Sequence, residues 1–526
     1  MERTVVFGVL LALLVSSGGP REWQAGTPPA PGERRLTRAV LEDKIRGGWA
    51  GQMIGVAYGQ ETEFKAMGRI LEGPLPAWSP EVVARALDQD DLYVEMTFME
   101  VMERRGLDAT AQDHGEAFRT SQYMLWHANA AARRLLNRGV PGGMSGHPQY
   151  NVHANDIDFQ IEADFIGLMT PGLPQEANKY CDRVGRVMNY GDGLYGGMFV
   201  ASLYSAAFFE NDPRRVVERA LASLPAESSY ARAIRDVLDW SRANPGDWRQ
   251  TWQQIENTWN KDDSCPDGAM SPFNIDARLN GAYIALGLLY GGGDFAQTME
   301  VSMRAGQDSD CNPSSAAGVL GVLVGYSGIP ERWTSGIPAI ADKKFSYTNY
   351  SYNDIVRLSV ERAIKVAQAA GGTLTEKEIR IPNQPPRAPK LEQWSMGKPD
   401  RAVNTTDEAW SWKGAWTDQT VSEGRYRSML RASLARGDEA TLTFTGTAIA
   451  LVGQNGRDGG RAKVHLDGKL VGEIDSYIPE RTLDHSLWHT YGLQPGKHVL
   501  RIVTTGGADR RSSGRKVAIS RAMTFQ

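Results

Sequence analysis

Cysteine is nearly absent: Cys181, Cys265 and Cys311 are the only three in a chain of 526 residues. So few leave room for at most one disulfide and exclude a disulfide scaffold as the source of stability. An excess of charge of one sign is also missing, since 58 Lys and Arg stand against 62 Asp and Glu. A net charge of −4 and a pI near 6.1 give no electrostatic footprint for nucleic acid, and no such partner is expected. The one basic cluster, Arg510, Arg511, Arg515 and Lys516, is flanked by Gly and Ser and reads as a solvated hairpin tip. Past the N-terminus no apolar run reaches the roughly 20 residues of a membrane span, so none is expected. Strand-like alternation is almost missing before residue 370, which argues against a β-rich first half.

The short apolar run at 5–15 follows Arg3 and precedes Ser16, Ser17, Gly18 and Gly19. A basic start, a brief apolar stretch and small residues describe an export signal, read as residues 1–25, and predict a secreted or periplasmic protein. More than one domain is expected at this length. Helical periodicity runs from residue 37 to 370, with helices expected near 38–54, 92–103, 113–127, 176–187, 193–209 and 213–223. Others are expected near 230–242, 248–261, 275–289, 295–305, 314–325 and 352–370.

Residues 371–400 are rich in Pro and Gly and read as an extended connector. From 401 to 526 the period falls to two, with short strands around Asp467-Gly468 and Gln494-Pro495-Gly496-Lys497, both read as hairpin turns. The expected fold class is multidomain: an all-α domain over 37–370, then an antiparallel β-sandwich. Trp410, Trp412, Trp416 and Trp488 either stack on sugar rings or fill the sandwich core.

Gly47, Gly51, Gly55 and Gly59 recur every fourth residue, and Glu63 continues the step. Such residues share one helix face. Each Gly there costs roughly 0.5–1 kcal/mol against Ala, so the stripe predicts a close approach by another helix or by a ligand, with Gly59 a candidate substrate contact. Two acidic knots, Asp88-Gln89-Asp90-Asp91 and Asp308-Ser309-Asp310, each precede an apolar helical segment. Hard divalent cations take several oxygen ligands from such loops. Gln89, Asp90, Asp91, Asp308 and Asp310 are therefore candidate ligands for one or two magnesium or calcium ions that orient water and polarise a leaving group. A metal-free centre is the alternative.

Between the knots, residues 155–164 carry Asp156, Asp158, Glu162 and Asp164 just before an apolar turn. Glycosidic cleavage uses two carboxyl groups, one as acid and one assisting attack. Glu63, Asp91, Asp158 and Glu162 are the catalytic candidates. Gln160, Asp192 and Asn312 join Gly59 as candidate substrate-binding residues, with helix capping the plainer reading of Asp192.

Together these stretches resemble a known family. Gly47-x-x-x-Gly51-x-x-x-Gly55-x-Ala57-x-Gly59-x-x-x-Glu63 is similar to the N-terminal signature of the ADP-ribosylglycohydrolases. Gln89-Asp90-Asp91 falls where that family has Thr-Asp-Asp, and 306–312, followed by Ala317-Gly318, Ile329-Pro330 and Trp333, resembles its closing motif. The resemblance implies an all-α fold, a two-magnesium centre and cleavage of bonds to ADP-ribose. It also implies Asp90, Asp91, Asp308 and Asp310 as ligands and Glu63 at the substrate-facing acidic position.

The chain departs from the pattern at Val56, Gln89, Leu92 and Cys311, and sulfur is a poor ligand for a hard cation. With an export signal and a sandwich module, the expected function is a secreted glycoside hydrolase acting on an extracellular carbohydrate. Magnesium-dependent removal of ADP-ribose from a modified target is the alternative. A non-catalytic glycan-binding protein is the third reading.

Overall fold

Two helices pressed backbone to backbone set the frame. The first, Arg38–Gly59, starts at Thr37, whose hydroxyl accepts a hydrogen bond from the Val40 N–H at 3.2 Å. Its glycine face lies on the helix Cys311–Val324. A Cβ at Gly47, Gly51, Gly55 or Gly59 would stand 2.2, 2.2, 2.3 and 2.3 Å from the carbonyl oxygens of Gly321, Ala317, Pro313 and Ser309. Steps of four up one helix match steps of four down the other, so the pair is antiparallel. The stripe is thus a helix-packing device, and it carries the Asp308–Asp310 loop to the end of the first helix.

The structure, a computed structural model, describes residues 32–261, 265–423, 426–479 and 482–526. The expected export signal at 1–25 lies outside them. Helices predominate from Arg38 to Ala369 and strands from Pro399 onward, the order expected from the change of period. The helices Asp192–Ala207 and Ala277–Gly291 are buried on nearly every side, as their all-round apolar sequences require. The closing helix Tyr352–Ala369 is fixed to the first by Trp49, whose indole N–H donates to Ser359 at 3.0 Å. No helix among the described residues is long and apolar enough to cross a membrane.

The Pro-rich stretch is extended, as expected, but it is bound rather than slack. Glu378–Ile381 pairs with Arg34–Thr37 and with Thr373–Leu374 in a small antiparallel sheet. Beyond it, Gln384 accepts from the Gln175 N–H at 2.7 Å, and Arg186 donates to both oxygens of Glu392 at 2.7 and 2.8 Å. Trp394 donates to Asn155 at 2.9 Å. Prolines have no N–H to offer, so side chains and carbonyls make these attachments.

The C-terminal strands form two antiparallel sheets. One runs in the order Lys469–Asp475, Gly460–Leu466, Gly496–Ala508, Glu439–Gly446, Trp410–Lys413. The other runs Thr482–Thr490, Ala448–Asn455, Val517–Phe525, Tyr426–Ser433, Thr417–Glu423, with Pro399–Asn404 also on Val517–Phe525. Asp467 and Gly468, with φ of 50° and 79°, make the expected two-residue turn between paired Leu466 and Lys469.

Gln494–Lys497 does not make a hairpin turn. The strands on either side belong to different sheets, so it is a crossover. The basic segment 510–516 likewise links strands of different sheets rather than capping a hairpin, and acids offset it through Lys516–Asp458 at 2.7 Å and Arg511–Asp509 at 2.9 Å. Trp410 stacks on Trp412 at 5.0 Å, and Trp416 meets Trp412 edge-on at 4.9 Å against the sandwich core, the packing role. One sandwich face seats on the helical part, where Val152 and Ala269 pack with Ala448, Ala450, Val452 and Phe525.

Candidate active site

The two acidic knots meet at Cys311. Its thiol donates to Asp91 Oδ2 at 3.2 Å and lies 3.7 Å from Asp310 Oδ1. Asp90 and Asp91 open the helix Asp90–Arg105, while Asp310 precedes the helix Cys311–Val324. Buried Gln89 caps the former with its carbonyl, which accepts from the Leu92 and Tyr93 N–H groups at 3.2 and 3.1 Å. Burial, reinforced by the charges of Asp308, Asp310 and Asp91, pushes the Cys311 thiol well up. In the cation-free protein it is a protonated donor, and its sulfur lies with one oxygen each of Asp308 and Asp310 in a group of donor atoms within 4.8 Å of one another.

Burial raises Asp91, Asp308 and Asp310, and the charge of Asp310 adds to the rise of Asp91 and Asp308. Asp90 is pushed to about 6 by burial and then by Asp310. Asp91 Oδ1 and Asp308 Oδ1 are buried without a hydrogen-bond partner. Carboxylate oxygens crowded together, two of them unmatched, fit a hard oxygen-seeking cation such as magnesium or calcium. Glu63 lies exposed at the rim, where its charge also lifts Asp308. Thr62 ties this segment to the acidic loop, with its hydroxyl 2.8 Å from Ser309 Oγ and donating to the Ser309 carbonyl at 3.2 Å. The Phe64 N–H donates to the Gln307 carbonyl at 3.0 Å, and Gln307 holds a left-handed φ of 55°.

A pH prediction follows from these groups. In the cation-free protein Asp90, near 6, and Asp164, raised by burial to about 7, keep protons that the unfolded chain releases above 3.8. The folded state then binds more protons between about pH 4 and 7. Stability therefore falls as pH rises through that window. Thermal denaturation should show this decline, and magnesium or calcium should reverse it at pH 7 while doing little at pH 4. A cation-independent, flat profile would rule out the crowded-carboxylate picture.

Other candidates are placed differently. Gly59 does not face open space: its Cβ position falls 2.4 Å from Asp310 Cα, so it seats the acidic loop and leaves no room for substrate. Gln160 is fully buried against Tyr230 Oη at 2.7 Å and belongs to helix packing, not to the acidic centre. Asp192 takes its capping role: it accepts from the Tyr230 N–H at 3.1 Å and from the Ser229 hydroxyl at the start of Ser229–Ala243. Asp158 spends both oxygens on the N-terminus of His127–Asn137, accepting from the Ala128 and Asn129 N–H groups at 3.2 and 2.9 Å. That leaves it a positioning group. Asn312 is buried and donates to Asn280 at 2.9 Å. Glu162 is fully buried, bonded to Asn129, and raised first by burial and then by Asp158.

Two buried carboxyls beside the centre were not among the candidates. Glu95 accepts from Gln52 at 2.9 Å and from the Phe165 N–H at 3.0 Å, and Asp164 raises it further. The i, i+4 step from Asp91 to Glu95, on one helix face, is the signal that could have found it. Asp164 closes the 155–164 stretch and differs from its neighbours by nothing in local spacing.

The family model described as ADP-ribosylglycohydrolase matches residues 37–359. Two proteins of Flavonifractor plautii are similar over shorter stretches. The "A type blood N-acetyl-alpha-D-galactosamine deacetylase" is 32% identical over 140 residues, 27% of this chain and 17% of that protein. The "A type blood alpha-D-galactosamine galactosaminidase" is 34% identical over 101 residues, 19% of this chain and 9% of that protein. The chain thus spans less than a fifth of either relative. A solved "ADP-ribosylglycohydrolase-related protein complex" aligns with 62% of this chain and 98% of its own, at 15% identity and a TM-score of 0.37.

Proposed function

Because the chain belongs to the ADP-ribosylglycohydrolase family over residues 37–359, we propose that it hydrolyses a glycosidic bond of a carbohydrate, acting outside the cytoplasm. One observation carries this reading. The exposed carboxylate of Glu63 adjoins a buried, carboxylate-rich set around the Cys311 thiol, in which Asp91 Oδ1 and Asp308 Oδ1 lack partners. Asp90, Asp91, Asp308 and Asp310 are the residues that would hold a hard cation. A cation bound there supplies charge that orients a water or sugar hydroxyl and steadies a departing oxygen.

Glu63 is the catalytic candidate that faces solvent, so it meets the substrate and exchanges the proton at the reacting oxygen. Asp91, Asp158 and Glu162 stand behind it as buried groups that hold ligands and helix ends in place. The similarity to two carbohydrate-modifying proteins supports a sugar substrate, and the sandwich is proposed to hold the enzyme near glycan.

Removal of ADP-ribose from a modified target is the second reading, favoured by the family match. Incubation with a glycan and aryl-glycoside panel, including N-acetylgalactosaminides and galactosaminides, and with ADP-ribosylated protein separates them. Release of a reducing sugar supports the proposal. Release of ADP-ribose alone, or of acetate alone from N-acetylated sugars, would overturn it.

A further inference from the structure

Beside the acidic centre stands a second group of different chemistry. His127, His153, Cys265 and Asp267 each offer one donor atom, and those atoms lie within 4.8 Å of one another. They come from three separate segments: the start of the helix His127–Asn137, the turn before Asp158, and the loop after 264. His127 Nδ1 lies 3.1 Å from Asp267 Oδ2, and His153 Nδ1 lies 3.4 Å from Cys265 Sγ. Asp156 lies beside them, its Oδ2 2.9 Å from His153 Nδ1 and 3.2 Å from Cys265 Sγ. His153, Cys265 and Asp156 are buried, and His153 Nε2 has no hydrogen-bond partner. His127 carries a positive φ of 40°, uncommon for a residue with a side chain and found where the surroundings over-determine the backbone.

We propose that His127, His153, Cys265 and Asp267 form a structural site for a borderline-soft divalent cation, zinc above all, distinct from the hard-cation centre at the four aspartates. Two imidazoles, a thiol and one carboxylate are zinc donors, whereas magnesium and calcium take oxygen. Tetrahedral zinc, with bonds of about 2.0–2.3 Å, sets its ligands about 3.3–3.8 Å apart. The donors are already near that spacing, and no separation needs to close by more than about 1–1.5 Å. Four protein ligands leave no open position, which marks a closed, structural site.

The site would brace the rim of the acidic centre. The loop from Cys265 carries Phe273, which packs on His127 and on Phe64 at centroid distances of 5.7 and 4.9 Å. It also carries Asn274, whose N–H donates to Gln307 at 2.9 Å. Phe64 follows Glu63, and Gln307 precedes Asp308, so a cation here would hold the loop against both acidic motifs. The alternative is a cation-free pair of His–Asp contacts beside a thiol.

Zinc content and cobalt spectroscopy of the full-length protein, tag removed, distinguish the two. Wild type dialysed after zinc loading should retain one zinc per chain at the His/Cys site, and cobalt(II) should give a thiolate-to-metal charge-transfer band. Cys265→Ser should abolish that band and weaken zinc retention at least tenfold. Asp310→Asn, at the other centre, should leave both unchanged. Wild type that retains no zinc after loading and shows no such band overturns the site without any variant being needed. A band that survives in Cys265→Ser, or is lost in Asp310→Asn, places the metal elsewhere and overturns it equally. None of these readouts depends on which substrate the enzyme turns over.

Discussion

Glu63→Gln is expected to lower kcat on every accepted glycoside by roughly 10²–10⁴-fold, about 3–5 kcal/mol of transition-state stabilisation, with the fold intact. The expectation rests on position. Among the four carboxyls that the sequence nominates for catalysis, Asp91 and Glu162 are fully buried, and Asp158 spends its oxygens on a helix end. Glu63 is exposed, and its charge reaches Asp308. Glutamine keeps the size and the hydrogen-bonding reach but removes the exchangeable proton and the charge. An exposed side chain contributes little to the core, so the melting temperature should move by only about a degree. A drop in kcat with KM nearly unchanged is the signature of an interaction made only in the transition state. Unchanged turnover on an accepted substrate would remove Glu63 from the chemistry and leave the aspartate centre as a binding site.

How much of this was legible before the structure depended on whether a signal was local. The glycine stripe was readable because four-residue steps are a property of a single helix, and its partner was half-readable in the small residues Ala317, Gly318 and Gly321. The Asp467-Gly468 turn was legible for the same reason, since two residues decide it. Gln494–Lys497 was misread because Pro and Gly specify a change of direction, not which sheet receives the next strand. Asp158 and Gln160 looked functional because polar density before an apolar turn is unusual, yet their partners, the Ala128 and Asn129 N–H groups and Tyr230, are distant in sequence. The His127, His153, Cys265 and Asp267 cluster was invisible for the same reason. Its members are spread over three segments with no ligand spacing to betray them.

Gly55→Val is expected to have the largest effect on stability, lowering the melting temperature by about 4 °C or more, or preventing folding. A Cβ at Gly55 would sit 2.3 Å from the Pro313 carbonyl oxygen and 2.7 Å from Ser314 Cα. Both are backbone atoms, so no side chain can rotate away and the two helices must separate. Overpacking a core typically costs about 1–3 kcal/mol. With backbone on both sides the upper end or beyond applies, and about 3 kcal/mol lowers the midpoint by about 4 °C in a helical domain of this length. Gly246, with nothing within 4 Å of its Cβ position and no positive φ, is the matched control, and Gly246→Ala should be neutral within about 0.5 kcal/mol. The chemistry is tied to the packing. Pro313 and Ser314 lie just past Asp310, and prying the helices apart at Gly55 drags the acidic loop away from Asp90 and Asp91. A folded Gly55→Ala variant should therefore bind calcium or magnesium more weakly than wild type, as a smaller cation-induced rise in melting temperature at pH 7. If Gly55→Val melts with wild type, the backbone contact between the two helices is not what holds the two halves of the site together.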